Sequence, residues 1–171
     1  MACALTAGYS LDCRDSAGGL KSVYFIEIDN VTGVVHSSGT VTAISKANNK
    51  RFWKYNLKRG TSSAVEAYND SAENGTSFHT QTLTIILNKM QAATRNEIAL
   101  LAQNRLVAVL EDRNGKYWLY GKENGLERNG GQAGTGTAMG DRNGYELIFT
   151  GEEKDSALEV SSSVITTLET P

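Results

Sequence analysis

Two Asn-Gly pairs between apolar runs constrain the fold of this 171-residue chain more than any other feature. Both central residues of a type I′ turn need a positive φ, which Asn and Gly tolerate best, so an Asn-Gly pair in such a place predicts a β-hairpin. The two pairs lie in Asp112-Arg113-Asn114-Gly115-Lys116-Tyr117 and in Asp141-Arg142-Asn143-Gly144-Tyr145. The stretch from Leu106 to Glu152 therefore predicts two hairpins on either side of a glycine-rich connection, Gly125 to Gly140.

Strand composition also occurs outside this stretch. The run Val23 to Asp29 is β-branched and aromatic and almost continuously apolar, which predicts a strand buried on both faces. Val34 to Ser45 predicts a strand pair, Thr80 to Leu87 a strand, and Ala157 to Leu168 a final strand or an extended tail.

A single helix is predicted between these strands. From Lys89 to Asn104 apolar residues recur at helical spacing, and Asn88 is a suitable N-cap residue. One helix is too few to cover both faces of a parallel sheet. The sequence therefore predicts a mainly β (α+β) fold, an antiparallel β-sandwich or barrel flanked by one α-helix.

The length of the chain predicts one domain, residues 1–171. Residues 1–21 are small and polar and predict an N-terminal arm. Residues 60–80 form the longest polar segment, and loops of about 20 residues inside a compact domain are uncommon. We interpret this segment as an extended loop or a long hairpin that becomes ordered against a partner, with a mobile surface loop as the alternative.

Charge and composition exclude several classes of function. The net charge of −2 and the pI near 5.7 argue against nucleic-acid binding driven by overall charge. No apolar run approaches the roughly 18 residues of a membrane span. The N-terminus lacks the features of a signal peptide, so we expect synthesis in the cytoplasm, with Cys3 and Cys13 as free thiols.

No set of catalytic residues stands out, and we expect neither an enzyme nor a cofactor or metal site. The nearest approach to a phosphate loop, Gly134-x-Gly-x-x-x-Gly140, lacks the following helix whose amides would face the anion. The chain has no Gly-x-Ser-x-Gly elbow, and its two histidines, His36 and His79, are far apart in sequence.

The segment from Lys50 to Arg59 interleaves cations with aromatic residues at a spacing close to two. A strand here would place Arg51, Trp53, Tyr55 and Leu57 on one face, which we expect to be the more buried, and Phe52, Lys54, Asn56 and Lys58 on the other. Cations and stacking aromatics could bind nucleic acid. The interpretation we favour is a strand whose outward cations complement acidic surfaces elsewhere or on another subunit.

Two segments of the chain resemble phage tail-tube and related virion proteins. They are the helix followed by Leu106-Val-Ala-Val-Leu-Glu-Asp-Arg-Asn-Gly-Lys-Tyr-Trp-Leu-Tyr-Gly, and Gly136-Thr-Ala-Met-Gly-Asp-Arg-Asn-Gly-Tyr-Glu-Leu-Ile-Phe-Thr-Gly-Glu-Glu. The opening Leu11-Asp-Cys-Arg-Asp-Ser-Ala-Gly-Gly-Leu-Lys resembles the starts of small structural proteins of phages and prophages of Bacteroidota-type bacteria.

The resemblance implies a non-enzymatic virion protein, made in the cytoplasm of a bacterial host. Members of that family form six-fold rings that stack into a tube through which DNA passes. Copies of the chain and other virion proteins would be its partners, and DNA would pass without specific contact. An acidic to neutral protein suits such a lumen, because a cationic wall would hold the phosphates.

Two alternatives stay open. One is a head-to-tail connector or neck ring, and the other is a carbohydrate- or surface-binding module of a tail fibre or baseplate with Tyr117, Trp118 and Tyr120 as a stacking platform. Under the ring hypothesis, the residues expected at contacts between subunits are Lys50, Arg51, Lys54, Lys58, Arg59, Glu66, Tyr68, Asp70, Glu73, Asp12, Arg14 and Asp15.

Overall fold

A computed structural model describes residues 7–10 and 13–171, and these residues form two β-sheets and two α-helices. The strands, in chain order, are β1 (Leu20–Glu27), β2 (Val31–Ser37), β3 (Thr40–Lys46), β4 (Trp53–Asn56), β5 (Ser63–Ser71), β6 (Thr76–Asn88), β7 (Leu106–Asp112), β8 (Tyr117–Tyr120), β9 (Glu127–Gly134), β10 (Gly144–Glu153) and β11 (Leu158–Val160). The helices are α1 (Ala92–Gln103), between β6 and β7, and α2 (Ser162–Leu168), after β11.

The strands divide into a large and a small sheet. The large sheet has the order β2-β3-β11-β8-β7-β1-β4, and the small sheet has the order β5-β6-β10-β9. All neighbouring strands run antiparallel except β3 and β11, which are parallel. The sheets alternate along the chain, so the fold depends on contacts between distant segments.

The two sheets face each other across one hydrophobic core. Phe25 of β1 lies 5.3 Å from Phe149 of β10, measured between ring centroids. Ile98 and Leu101 of α1 are buried in the same core, so the helix closes one side of the sandwich. The predicted mainly β fold, a sandwich flanked by a helix, is confirmed.

A second core covers the opposite face of the large sheet. Tyr24 and Val109, neighbours in the pairing of β1 with β7, are buried there together with Val164 and Leu168 of α2. Because both faces of β1 and β7 are covered, their nearly continuous apolar sequences follow from their position. The prediction that β1 is buried on both faces is confirmed.

The C-terminal segment differs from the predicted strand or tail, since only β11 is extended and α2 follows it. The helix forms because Val164 and Leu168, four residues apart, both enter the second core. At its C-terminal end the Nζ atom of Lys46 donates to the backbone oxygens of Thr167 (2.7 Å) and Leu168 (3.2 Å). These bonds satisfy two carbonyl groups that the helix leaves without intrahelical partners.

The main helix is shorter than predicted, and Asn88 does not cap it. Asn88 is the last residue of β6, and Lys89 turns the chain with a φ of 70°. The helix begins after Gln91, whose side chain makes no capping bond. Asn143 supports the turn instead: its backbone oxygen accepts from the Lys89 amide and its side-chain oxygen from the Met90 amide.

The first Asn-Gly pair forms the predicted hairpin, but through a different turn. Only Gly115 has a positive φ, 76°, so the turn between β7 and β8 is not of type I′. The Asp112 carboxylate accepts from the amides of Asn114 (2.8 Å) and Lys116 (2.9 Å), and this side chain stabilises the longer loop.

The second Asn-Gly pair also lies in a hairpin, since β9 and β10 are adjacent antiparallel strands, but the pair ends a nine-residue loop instead of forming a two-residue turn. Asn143 belongs to a loop of residues 135–143, and Gly144 is the first residue of β10. The glycine-rich connection, predicted to be a turn or link, contains strand β9. The sequence does not predict this strand, because all eight of its residues are exposed and show no apolar alternation. Backbone pairing with β10 stabilises the strand instead.

The polar segment 60–80 is a hairpin. Strands β5 and β6 pair from Ser63 opposite Thr84 to Ser71 opposite Thr76, and the turn at residues 72–75 connects them. Of the two forms predicted for this segment, the long hairpin is the one observed.

Gly144 offers a test of the close approach between β10 and β6. A Cβ atom at this position would lie 2.3 Å from the backbone oxygen of Leu87, so Gly144→Ala must push two strand backbones apart. We expect this substitution to lower the free energy of unfolding by about 2 kcal/mol in urea denaturation. Gly134→Ala is the control, because Gly134 is the partner of Gly144 on β9 and a Cβ atom there would have no neighbour within 4 Å. Equal effects of the two substitutions would contradict the close approach.

Candidate functional site

The predicted cations lie around β4, at one edge of the large sheet. Lys50, Arg51, Lys54, Lys58 and Arg59 are all exposed. The guanidinium carbon of Arg51 lies 4.1 Å from the centroid of a Trp53 ring, and the Nζ atom of Lys54 lies 5.0 Å from that of Tyr24. These cations form an exposed group beside aromatic side chains.

The predicted burial of this segment is partly wrong. Trp53, expected to point inward, is 54% exposed, whereas Phe52, placed on the opposite face, is 1% exposed. The expectation assumed that only one face of the strand meets a core. Phe52 enters the second core, and its amide donates to the backbone oxygen of Leu168, while Leu57 enters the core between the sheets.

The predicted residues of the polar segment lie on the other sheet. Glu66, Tyr68 and Asp70 occupy alternate positions of β5 on the face directed toward the large sheet, because their neighbour Ala64 packs against the core between the sheets. Asp70 accepts a 2.6 Å hydrogen bond from Ser77, and Glu73 is exposed in the turn. The structure thus does not combine the cations and the acidic residues into one site.

The described part of the arm lies near the β7–β8 turn. Arg14 and Asp15 are exposed, and Asp12 lies outside the described residues. The Ala17 amide donates to the side-chain oxygen of Asn114 at 2.7 Å. This contact places residues 16–19 beside one end of the sandwich.

A cleft of about 650 Å³ opens at this end, between β5 and the large sheet. Trp118, 37% exposed, and Tyr120 face it from β8, and Tyr68, 67% exposed, faces it from β5. Its lining includes the carboxylates of Glu66 and Asp112, and no described residue that lines it is a lysine, arginine or histidine. The cleft is therefore both aromatic and acidic.

The wall of this cleft is held by a buried amide. Gln81, 2% exposed, donates to the Glu66 carboxylate at 3.0 Å and accepts from the Gly121 amide at 2.8 Å. The same Glu66 oxygen, Oε1, accepts from the Ala157 amide at 2.8 Å. Both bonds fall on Oε1, and Oε2 has no hydrogen-bond partner among the described residues. Gln81 is not among the site residues predicted from sequence. The signal that identifies it is its position: it is a polar residue on the face of β6 that Leu83 and Ile85 otherwise make apolar.

The aromatic residues of β8 do not form the single platform that the adhesin alternative requires. Strand alternation places Tyr117 against the second core, on the face opposite to Trp118 and Tyr120. Tyr120 is buried, and burial, with a smaller contribution from the nearby charges of Glu66 and Tyr68, raises its pKa to about 12. Its hydroxyl therefore stays protonated at neutral pH, and Trp118 is the exposed aromatic residue of this strand.

The outer face of the small sheet is the second candidate surface. Its strand positions are mostly small, hydroxyl-bearing or acidic, and they are Val65, Ala67, Asn69, Phe78, Thr80, Thr82, Thr84, Ile86, Glu127, Gln132, Glu146, Ile148, Thr150 and Glu152. All four strands lie in the described part of the chain, and none of these positions is a lysine or arginine. Arg142, from the loop before β10, pairs with Glu146 at 2.9 Å.

The two most buried carboxylates of the described residues stabilise the fold. Glu111 accepts hydrogen bonds from Lys21 and Ser22 across the β1–β7 pair. Glu153 accepts from the amides of Glu123 (3.1 Å) and Asn124 (2.9 Å). Within residues 7–10 and 13–171 no group of three His, Cys, Asp or Glu residues is arranged to hold a metal ion.

Comparisons with protein-family models, with curated proteins and with solved structures gave no match to this chain. In the part of the chain that the structure describes, no helix has the length and apolar character needed to cross a membrane.

Substitution of Gln81 tests whether its hydrogen bonds stabilise the wall of the cleft. Gln81→Met keeps the side-chain length but leaves the buried Gly121 amide without its partner and removes one donor from Glu66. We expect a loss of about 2 kcal/mol in the free energy of unfolding, measured by urea denaturation. Thr82→Val, on the outer face of the same strand, should change it by less than about 0.5 kcal/mol. If Gln81→Met were as stable as Thr82→Val, the amide would not hold the wall.

Proposed function

We propose that this protein is a non-enzymatic structural subunit of a phage virion, a tail-tube subunit whose copies form stacked homo-hexameric rings around a lumen for DNA. The observation that carries the proposal is the small sheet: among the described residues its two edge strands, β5 and β9, each lack a second strand partner, and no described element packs over its outer face. The sequence resemblance to tail-tube proteins supplies the virion context and the ring order.

The edges of the small sheet are suited to joining copies in a ring. The order β5-β6-β10-β9 contains an even number of antiparallel strands, so β5 and β9 run in opposite directions. When copies are related by rotation alone, β9 of one copy can therefore lie antiparallel to β5 of the next. Unpaired edge strands present free N–H and C=O groups for this pairing, and closing a ring satisfies every edge.

The uncovered face is suited to line a lumen. None of its strand positions is a lysine or arginine, and the adjacent Arg142 is already paired with Glu146, so DNA would pass without being retained. The opposite face of the sheet is occupied by the core between the sheets. In a ring built from these edges, the outer face of the small sheet is the one left available for the channel.

Electron microscopy tests this proposal directly. We expect concentrated purified protein to show rings in negative stain, some of them stacked into tubes, and light scattering to give a mass of about six subunits per ring. Single rings that never stack would favour the connector or neck alternative. A protein that remains monomeric at high concentration would contradict both.

The second candidate function is a saccharide-binding module of a tail fibre or baseplate. It is favoured by the exposed ring of Trp118 beside carboxylates in the cleft, because sugars stack on aromatic faces and donate hydroxyl hydrogen bonds to acids.

This candidate predicts that a panel of neutral oligosaccharides contains a ligand for the wild-type protein, measured by calorimetry. Trp118→Ala should abolish that binding, because the substitution removes the stacking surface. Trp53→Ala, which truncates an exposed tryptophan outside the cleft, is the matched control and should leave binding unchanged. A wild-type protein that binds no member of the panel would count against the module.

A further inference from the structure

The aromatic and acidic cleft adjoins the open edge strand β5, and this position determines what can enter it. Ala64, Glu66 and Tyr68 are at once edge residues of the small sheet and lining residues of the cleft. A strand added to the β5 edge would direct every second side chain toward the large sheet, over the mouth of the cleft. The occupant of the cleft is then a side chain of the added strand.

The side chains that line the cleft favour a positively charged group. Its described lining has two carboxylates and no positive charge, and the Oε2 atom of Glu66 has no partner among the described residues. Trp118 and Tyr68 present aromatic rings, whose faces attract a guanidinium group. A planar guanidinium can stack on a ring and donate to a carboxylate at the same time.

The other edge of the small sheet carries one such cation on the correct face. Arg128 is the only lysine or arginine of β9. It lies opposite Phe149, which is buried between the sheets, so its side chain leaves the strand on the same face as Glu66. Arg128 is exposed, and its side chain makes no hydrogen bond or ion pair with a described residue.

The register of the sheet places Arg128 at the correct height. Ala64, Leu83, Phe149 and Arg128 form one row across the four strands. If copies join without stagger, Arg128 of one copy lies opposite Ala64 of the next, whose small side chain leaves space. Glu66 is then the diagonal neighbour on the same face, within reach of a long side chain.

We propose that the cleft is completed by a second copy of this chain, whose Arg128 enters it, stacks between Trp118 and Tyr68 and pairs with Glu66. This inference rests on the proposed ring, because it requires that β9 of one copy pairs with β5 of the next. It adds a contact that fixes the register at each junction, since a slip by one residue would turn Arg128 away from the cleft.

A disulfide trap tests the pairing. In a background with Cys3 and Cys13 replaced by serine, the substitutions Ala64→Cys and Arg128→Cys place thiols on opposite edges of one copy. Three strand spacings, about 14 Å, separate these edges, so no disulfide can form within a copy. We expect oxidation to give a ladder of linked copies on a non-reducing gel. The matched control, Val65→Cys with Arg128→Cys, puts the thiols on opposite faces and should give no ladder.

The Arg128 contact itself is tested by substitution without thiols. We expect Arg128→Ala to raise the protein concentration at which rings form about tenfold, and Arg128→Lys to restore only part of the loss, because lysine lacks the planar fork. Arg95→Ala, which removes an arginine of α1 outside the small sheet, is the matched control and should not change this concentration.

The outcomes separate the two proposals. Rings that form with Arg128→Ala at the wild-type concentration, or a ladder as strong in the Val65 control as in the Ala64 pair, would overturn the Arg128 contact and leave the ring proposal standing. A ladder limited to open chains, with no rings in the micrographs, would support the pairing of β9 with β5 in this register, on which the Arg128 contact depends, and contradict the ring. Absence of both rings and ladder would overturn both.

Discussion

The structure depends on burying the large sheet on both faces. Its central strands β1 and β7 supply side chains to two cores, one shared with the small sheet and one closed by α2. Once the large sheet is enclosed in this way, the small sheet can bury only one face. The asymmetry between the sheets therefore originates in two strands, Leu20–Glu27 and Leu106–Asp112, each of which contains an uninterrupted apolar run, Val23 to Ile26 and Leu106 to Leu110.

This asymmetry also determines which surfaces remain for contacts with other molecules. The small sheet keeps a largely polar outer face and two edge strands that have no second strand partner within residues 7–10 and 13–171, and one of these edges borders the cleft at the end of the sandwich. Long open edges are a hazard for a monomer, because they invite uncontrolled pairing. In the proposed ring the same edges are used in every copy, and the Arg128 contact would select one register among those that backbone pairing alone allows.

The sequence predicts well those elements whose own residues provide most of the interactions that stabilise them. The apolar run of β1, the first Asn-Gly hairpin and the apolar positions of α1 are of this kind. Strand β9 and helix α2 are not. The eight exposed residues of β9 are extended because β10 offers them backbone partners, and α2 is a short β-branched segment stabilised by a core and by Lys46, which lies more than 100 residues away in sequence. A local sequence pattern does not reveal stabilisation by residues this distant in the chain.

The candidate site shows the same division. Glu66 and Tyr68 belong to a polar segment unusual enough to be selected from sequence, but their role depends on neighbours from other segments. Trp118 joins them only because β8 and β5 meet at the end of the sandwich. The sequence signal of Arg128 is weak, because an arginine among glycines is typical of an exposed loop. The role proposed for Arg128 depends on the row of paired residues that ends at Ala64. This row can be identified only once β9 is recognised as an edge strand. Sequence reasoning about the proposed subunit contacts thus fails first at sheet edges, where side chains are exposed in the single chain and would acquire partners only in the proposed ring.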